Sequence, residues 1–119
     1  MRRVVLVNAF SLAMLQQTES LVLVKRITLE EAKKMLQAGF ESAVGHESTA
    51  NVLSQLLGIQ IKAERRQITL TSDTILLVFQ LLSRLPEGKI LSMEELMQVQ
   101  YAFYTVELLD IGISPPQRG

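Results

Sequence analysis

The chain has 119 residues, 48% hydrophobic and 20% charged, with 12 basic and 12 acidic side chains and no cysteine. That composition suits one globular domain with its own core and excludes a disordered chain, and the missing cysteines exclude disulfides, thiolate metal sites and cysteine nucleophiles together. Charge is even along the chain, with 6 basic and 5 acidic groups in residues 1–60 against 6 and 7 in residues 61–119, which excludes a polyelectrolyte that coats duplex nucleic acid.

Residues 4–7 form a β-branched and aliphatic run that ends at Asn8, as in a short strand buried on both faces. The start of the chain is too short in apolar residues for a signal peptide, and no run reaches the roughly 18 residues of a membrane span. A soluble cytoplasmic protein with no membrane partner is expected. Residues 11–15 suit a helical turn and residues 21–24 a second strand. Thr28-Leu29-Glu30-Glu31 is a capping box. The helix that it opens sets Leu29, Ala32, Leu36 and Phe40 on one face, with Gly39 near its end.

A second helix is predicted over residues 48–57, with Val52, Leu53, Leu56 and Leu57 inward and Gly58 just past its end. Residues 62–66 are a basic cluster. Residues 67–70 and 75–82 read as two strands of a hairpin about Thr71-Ser72-Asp73. A loop over residues 83–89 follows, marked by its proline and glycine. Ser92-Met93-Glu94-Glu95 is a second capping box, with Leu96 inward. Residues 101–108 alternate as a last strand. The expected architecture is α/β: one domain over residues 1–111, with a central, mostly five-stranded mixed sheet flanked by helices. Residues 112–119, with Pro115-Pro116, form a flexible tail with nothing to pack against.

His46 is the single histidine and stands at a helix start, beside Ser48 and Thr49. Imidazole suits proton transfer near neutral pH, and a helix N-terminus attracts phosphate. The plain alternative is capping by Ser48 or Thr49, with His46 a loop residue. Arg84 can clamp a phosphate. Glu87 can orient a base or accept a proton; an exposed ion pair is the alternative for both. Asn8 and Ser11 flank the end of the first strand, where ligands gather in α/β sheets, although Ser11 can equally cap a helical turn. Arg65 and Arg66 are adjacent on what reads as a strand, so they face opposite ways. One histidine without cysteine gives no metal-ligand spacing. Any phosphodiester chemistry is then expected to run without a metal, which RNA allows because its own 2′-hydroxyl can attack the phosphate.

Three segments, taken in order, resemble the viral ring nucleases, the type III anti-CRISPR proteins of archaeal viruses, phages and mobile elements. They are Asn8-Ala9-Phe10-Ser11-Leu12-Ala13-Met14-Leu15, Gly45-His46-Glu47-Ser48-Thr49 and Gln80-Leu81-Leu82-Ser83-Arg84-Leu85-Pro86-Glu87-Gly88-Lys89. The resemblance spans roughly residues 3–110. It implies a small α/β homodimer that binds cyclic tetra-adenylate and cuts it, without a metal, into linear di-adenylate. Loss of this messenger silences the nucleases it activates. The resemblance makes His46, Arg84 and Glu87 catalytic. It makes Asn8, Ser11, Ser48, Thr49, Gln80 and Arg65, rather than Arg66, ligand contacts. The stretch over residues 41–44 and the proline-containing tail depart from the family pattern. Three other readings compete: a non-catalytic module that sequesters or senses the cyclic nucleotide, a small DNA-binding regulator, and a purely structural or interaction protein. The second is weighed down by neutral charge and the lack of a helix-turn-helix.

Overall fold

The structure, a computed structural model, describes residues 2–82 and 91–109. Along the chain come β1 (Arg3–Val7), a 3-10 turn (Leu12–Met14), β2 (Val22–Ile27), α1 (Leu29–Gln37), β3 (Glu41–Ala43), α2 (Glu47–Leu57), β4 (Thr74–Leu81), α3 (Met93–Gln98) and β5 (Tyr101–Leu108). The strands form one sheet in the order β2-β5-β4-β1-β3. β1 is parallel to both β3 and β4, while β5 is antiparallel to both β4 and β2. This is the mixed five-stranded α/β sheet expected from the sequence.

Apolar side chains cover both faces of the sheet. On one face Leu6, Leu77, Phe79 and Phe103 meet Ala32 and Leu36 of α1 and Val52, Leu53 and Leu57 of α2. On the other, Val5, Val7, Leu76, Val78 and Val106 lie under Met14, Leu15, Ile68 and Leu70. A strand covered on both faces reads as a continuous apolar run, which is why residues 4–7 do not alternate. Phe79 and Phe103 are fully enclosed, with ring centroids 5.1 Å apart, and Tyr101 closes the aromatic trio at 5.7 and 5.6 Å. Burying each phenyl ring contributes about 1.5–3 kcal/mol.

The helix boundaries follow local chemistry. Thr28 accepts the Glu31 N–H at 3.1 Å, and the Glu31 carboxylate accepts the Thr28 N–H at 3.0 Å. Ser92 and Glu95 repeat the exchange at the start of α3. α2 ends at Gly58, whose φ of +66° is the left-handed region that favours glycine.

Four expectations need correction. Residues 67–70 are not a strand, and there is no hairpin with β4. Both edges of β4 are already taken by β1 and β5. The alternating Ile68 and Leu70 instead pack flat onto the sheet, and the Leu70 N–H donates to the Met14 carbonyl at 2.8 Å. The fifth strand is β3, in the stretch the resemblance left unmatched. It pairs Glu41, Ser42 and Ala43 with Val5, Leu6 and Val7. α1 stops at Gln37, so Phe40 joins the core from the connection after Gly39 rather than from the helix. α2 begins at Glu47, one residue before the predicted start. The predicted 83–89 loop, and the boundary between residues 111 and 112 with the tail after it, lie outside the described residues. Among the described residues no helix is long and apolar enough to cross a membrane.

Candidate functional site

Because β1, β3 and β4 are mutually parallel, their C-terminal ends share one edge of the sheet. Val7 is level with Ala43 on one side and Val78 on the other, so Asn8 leaves β1 at that edge. In open α/β sheets this edge is where ligands bind. The Asn8 Oδ1 accepts the backbone N–H of Gly45 at 3.1 Å. β1 is thereby tied to the turn between β3 and α2.

His46 follows at once as the N-cap of α2, with extended backbone at φ −129° and ψ 132° and no capping bond from its side chain. Its carbonyl accepts the Ala50 N–H at 3.0 Å, the first bond of the helix. Neither Ser48 nor Thr49 caps the helix; both lie inside its first turn. The capping alternative drawn from the sequence is therefore corrected. The amides of the first turn have no intrahelical acceptor and carry the positive end of the helix dipole. His46 is exposed, Ser48 is half-buried and Thr49 is buried at 6% exposure. Thr49 can offer a backbone N–H there more readily than its hydroxyl.

Arg65 lies against the same turn. A β-carbon placed on Gly45 would sit 3.5 Å from Arg65 Cγ and 3.9 Å from Asn8 Oδ1. Asn8, Gly45 and Arg65 therefore converge beside His46. Residues 65 and 66 are not in a strand, contrary to the expectation, because Ala63 pairs with Val44 only as an isolated bridge. The two arginines still part company. Arg66 is engaged by Glu41 at 3.1 Å and Glu64 at 3.0 Å. Among the described residues no carboxylate pairs with Arg65.

Ser11 caps the 3-10 turn by accepting the Ala13 N–H at 3.2 Å. It stands three residues beyond Asn8, at the same end of the sheet. Gln80 is exposed near the end of β4, two residues past the level of Val7. Its amide makes only a local bond, to the Leu81 carbonyl at 3.3 Å. Arg84 and Glu87 lie outside the described residues. Among the described residues no group of His, Cys, Asp or Glu has the makings of a metal site.

The opposite end of the sheet has different electrostatics. Arg3 grips Glu41 through two bonds, at 2.6 and 2.9 Å, and Arg66 completes the cluster. The Arg3 guanidinium, and then Arg66, hold the Glu41 carboxyl below the usual carboxylate range. A cavity of about 200 Å³ lies here, lined in part by Arg3, Arg66, Thr69, Thr71 and Thr74. Its guanidinium groups are already matched by carboxylates, whereas Arg65 at the other end has none among the described residues.

Sequence reasoning missed Gly45 as the hub of the site. The signal available was its place directly before the single histidine. Gly45 has no positive φ and only ordinary contacts around its missing side chain. Backbone strain therefore does not account for glycine there.

A family model described as STIV B116-like matches residues 4–103. The chain is 37% identical over 106 residues to a protein designated Uncharacterized protein 26 of Sulfolobus islandicus filamentous virus (isolate Iceland/Hveragerdi), covering 87% of this chain and 90% of that one. It is 35% identical over 89 residues to YddF of Bacillus subtilis (strain 168), covering 72% and 82%. Among solved structures, B116 of Sulfolobus turreted icosahedral virus matches with a TM-score of 0.78 at 29% identity, covering 88% of this chain and 98% of that one.

Proposed function

The chain belongs to the STIV B116-like family, and from that premise we propose that it is a metal-independent ring nuclease acting on cyclic tetra-adenylate. The sequence resemblance to viral ring nucleases supplies the substrate. The observation that carries the reading is the meeting of Asn8, Gly45 and Arg65 beside His46 at the uncapped start of α2. A guanidinium that no carboxylate among the described residues pairs, helix amides without an intrahelical acceptor and an exposed imidazole are what a phosphodiester requires: charge to hold it and a proton donor to cleave it.

In the proposed reaction the 2′-hydroxyl of one adenosine attacks the adjacent phosphorus in line. The new P–O2′ bond forms as the P–O5′ bond breaks. His46 gives its proton to the departing 5′-oxygen. Arg84 stabilises the charge that develops on the phosphate. Glu87 accepts the 2′-hydroxyl proton, or holds His46 in place while solvent water accepts that proton. Asn8, Ser11, Ser48, Thr49, Arg65 and Gln80 hold the ring. The products are di-adenylates with a 2′,3′-cyclic phosphate and a free 5′-hydroxyl. A two-fold homodimer would present each group twice to a two-fold ring, so two cuts would give equal halves. The protein would act in the cytoplasm of the host cell and end type III CRISPR signalling there.

The test is incubation with cyclic tetra-adenylate in EDTA, with products followed by chromatography and mass spectrometry beside His46→Ala. Di-adenylate with a cyclic phosphate, formed about 10²–10⁴-fold more slowly by the variant, is the expected result. Intact ligand that co-elutes with the protein would replace the enzyme by a sequestering module. Neither binding nor cleavage would end the nucleotide reading.

A further inference from the structure

Two serine hydroxyls outside the site hold the segment that presents Arg65. Ser54 lies on α2, about two helical turns after His46. Its Oγ donates to the Ala50 carbonyl at 2.8 Å and accepts the Ile61 N–H at 2.9 Å. It thus joins the helix to the chain that returns past it. On the other side Ser42 of β3 donates to the Lys62 carbonyl at 2.6 Å. The Glu64 N–H then donates to the Val44 carbonyl at 2.7 Å.

Residues 61, 62 and 64 are therefore each fastened to α2 or to the β3 edge, and Arg65 follows directly. Beyond it Arg66 is held by Glu41 and Glu64. The stretch from Gly58 to Arg65 has no helix or strand of its own, only the bridge at Ala63. Its course is set by these few bonds and by the buried Ile61. Ser54 stands out because its hydroxyl connects the arginine segment to the very helix that begins at His46.

We propose that Ser54, with Ser42 opposite it, is a positioning residue that fixes where the Arg65 guanidinium stands relative to the start of α2, and so sets the affinity for an anionic nucleotide bound there. The inference rests on the nucleotide reading above and extends it to residues that touch no ligand. An exposed arginine on an unanchored segment must give up conformational freedom when it grips a phosphate. A segment already fastened on both sides has less to lose.

The test is a double-mutant cycle on binding of cyclic tetra-adenylate, measured by calorimetry in a His46→Ala parent so that the ligand persists. Ser54→Ala should weaken binding roughly three- to tenfold, the worth of one intramolecular hydrogen bond. Ser54→Thr, which keeps the hydroxyl, should bind as the parent does. In an Arg65→Ala background the Ser54→Ala effect should vanish, because its route to the ligand is gone. Equal weakening with and without Arg65, or no weakening at all, overturns the positioning role. If Ser54→Ala does not fold, Ser42→Ala takes its place in the same cycle. A parent that binds while Ser54 is indifferent defeats only this inference. A parent that binds no cyclic tetra-adenylate defeats the nucleotide reading and this inference with it.

Discussion

The Asn8 side-chain oxygen accepts the Gly45 backbone N–H at 3.1 Å across 37 residues of sequence. That one bond joins the end of β1 to the turn that presents His46, and the turn also packs against Arg65. Asn8 is thus structural as well as being a proposed ligand contact, and substitution can separate the two roles. Asn8→Ala should leave the part-buried amide unsatisfied and lower unfolding free energy by about 1–3 kcal/mol in urea titrations. Asn8→Asp keeps an acceptor, so stability should stay close to wild type. The added negative charge should nevertheless weaken binding of cyclic tetra-adenylate. Equal stability loss in both variants would sink this division of roles.

The neighbouring arginines should behave oppositely. Arg65→Ala should weaken binding about 10- to 100-fold, the range for a lost charge-assisted hydrogen bond. Arg66→Ala should leave affinity almost unchanged and slightly destabilise the β3 edge, because its partners are Glu41 and Glu64. Calorimetry and urea unfolding on both variants separate the cases. A large affinity loss in Arg66→Ala would reverse the assignment.

Gly58 stops α2 with φ at +66°. A Cβ there meets no neighbour within 4 Å, so the cost of Gly58→Ala is backbone strain alone. It should be about 1–2 kcal/mol, read as a lower urea midpoint with an unchanged slope. Unchanged stability would mean that the helix ends differently.

The Glu41 carboxyl titrates below its ordinary range, chiefly through its hydrogen bond to Arg3. A group whose pKa is depressed by folding stabilises the native state above its unfolded value, and that contribution disappears as pH falls through the folded value. Wild type should therefore exceed Glu41→Gln in stability at neutral pH. The gap should close in the acid range below the ordinary glutamate pKa of about 4.3. A gap that stays constant down to the depressed value would show that the Arg3 pair contributes nothing.

What was legible in the sequence was local chemistry. Thr28 with Glu31, Ser92 with Glu95, and Gly58 mark helix boundaries through contacts at most four residues apart. β3 was illegible because three residues, with Ala43 alone buried, carry no periodicity. Residues 67–70 misled because a segment laid flat on a sheet alternates as an edge strand does. The convergence of Asn8, Gly45 and Arg65 depends on the parallel pairing of β1 with β3, which no local pattern encodes. The divergence of Arg65 and Arg66 was foreseen from strand alternation, yet it comes from Glu41 and Glu64 claiming one of the two.

The strand order has a consequence for synthesis on the ribosome. β1 emerges first but sits between β3 and β4, and among the described residues β2 has a single neighbour in the sheet, β5. β2 must therefore wait unpaired until residue 108 has left the exit tunnel. At about 5–20 residues per second, the 81 residues from 28 to 108 take several seconds to make. Throughout that interval a strand with both hydrogen-bonding edges open is a template for pairing with another chain, blunted only by Lys25 and Arg26.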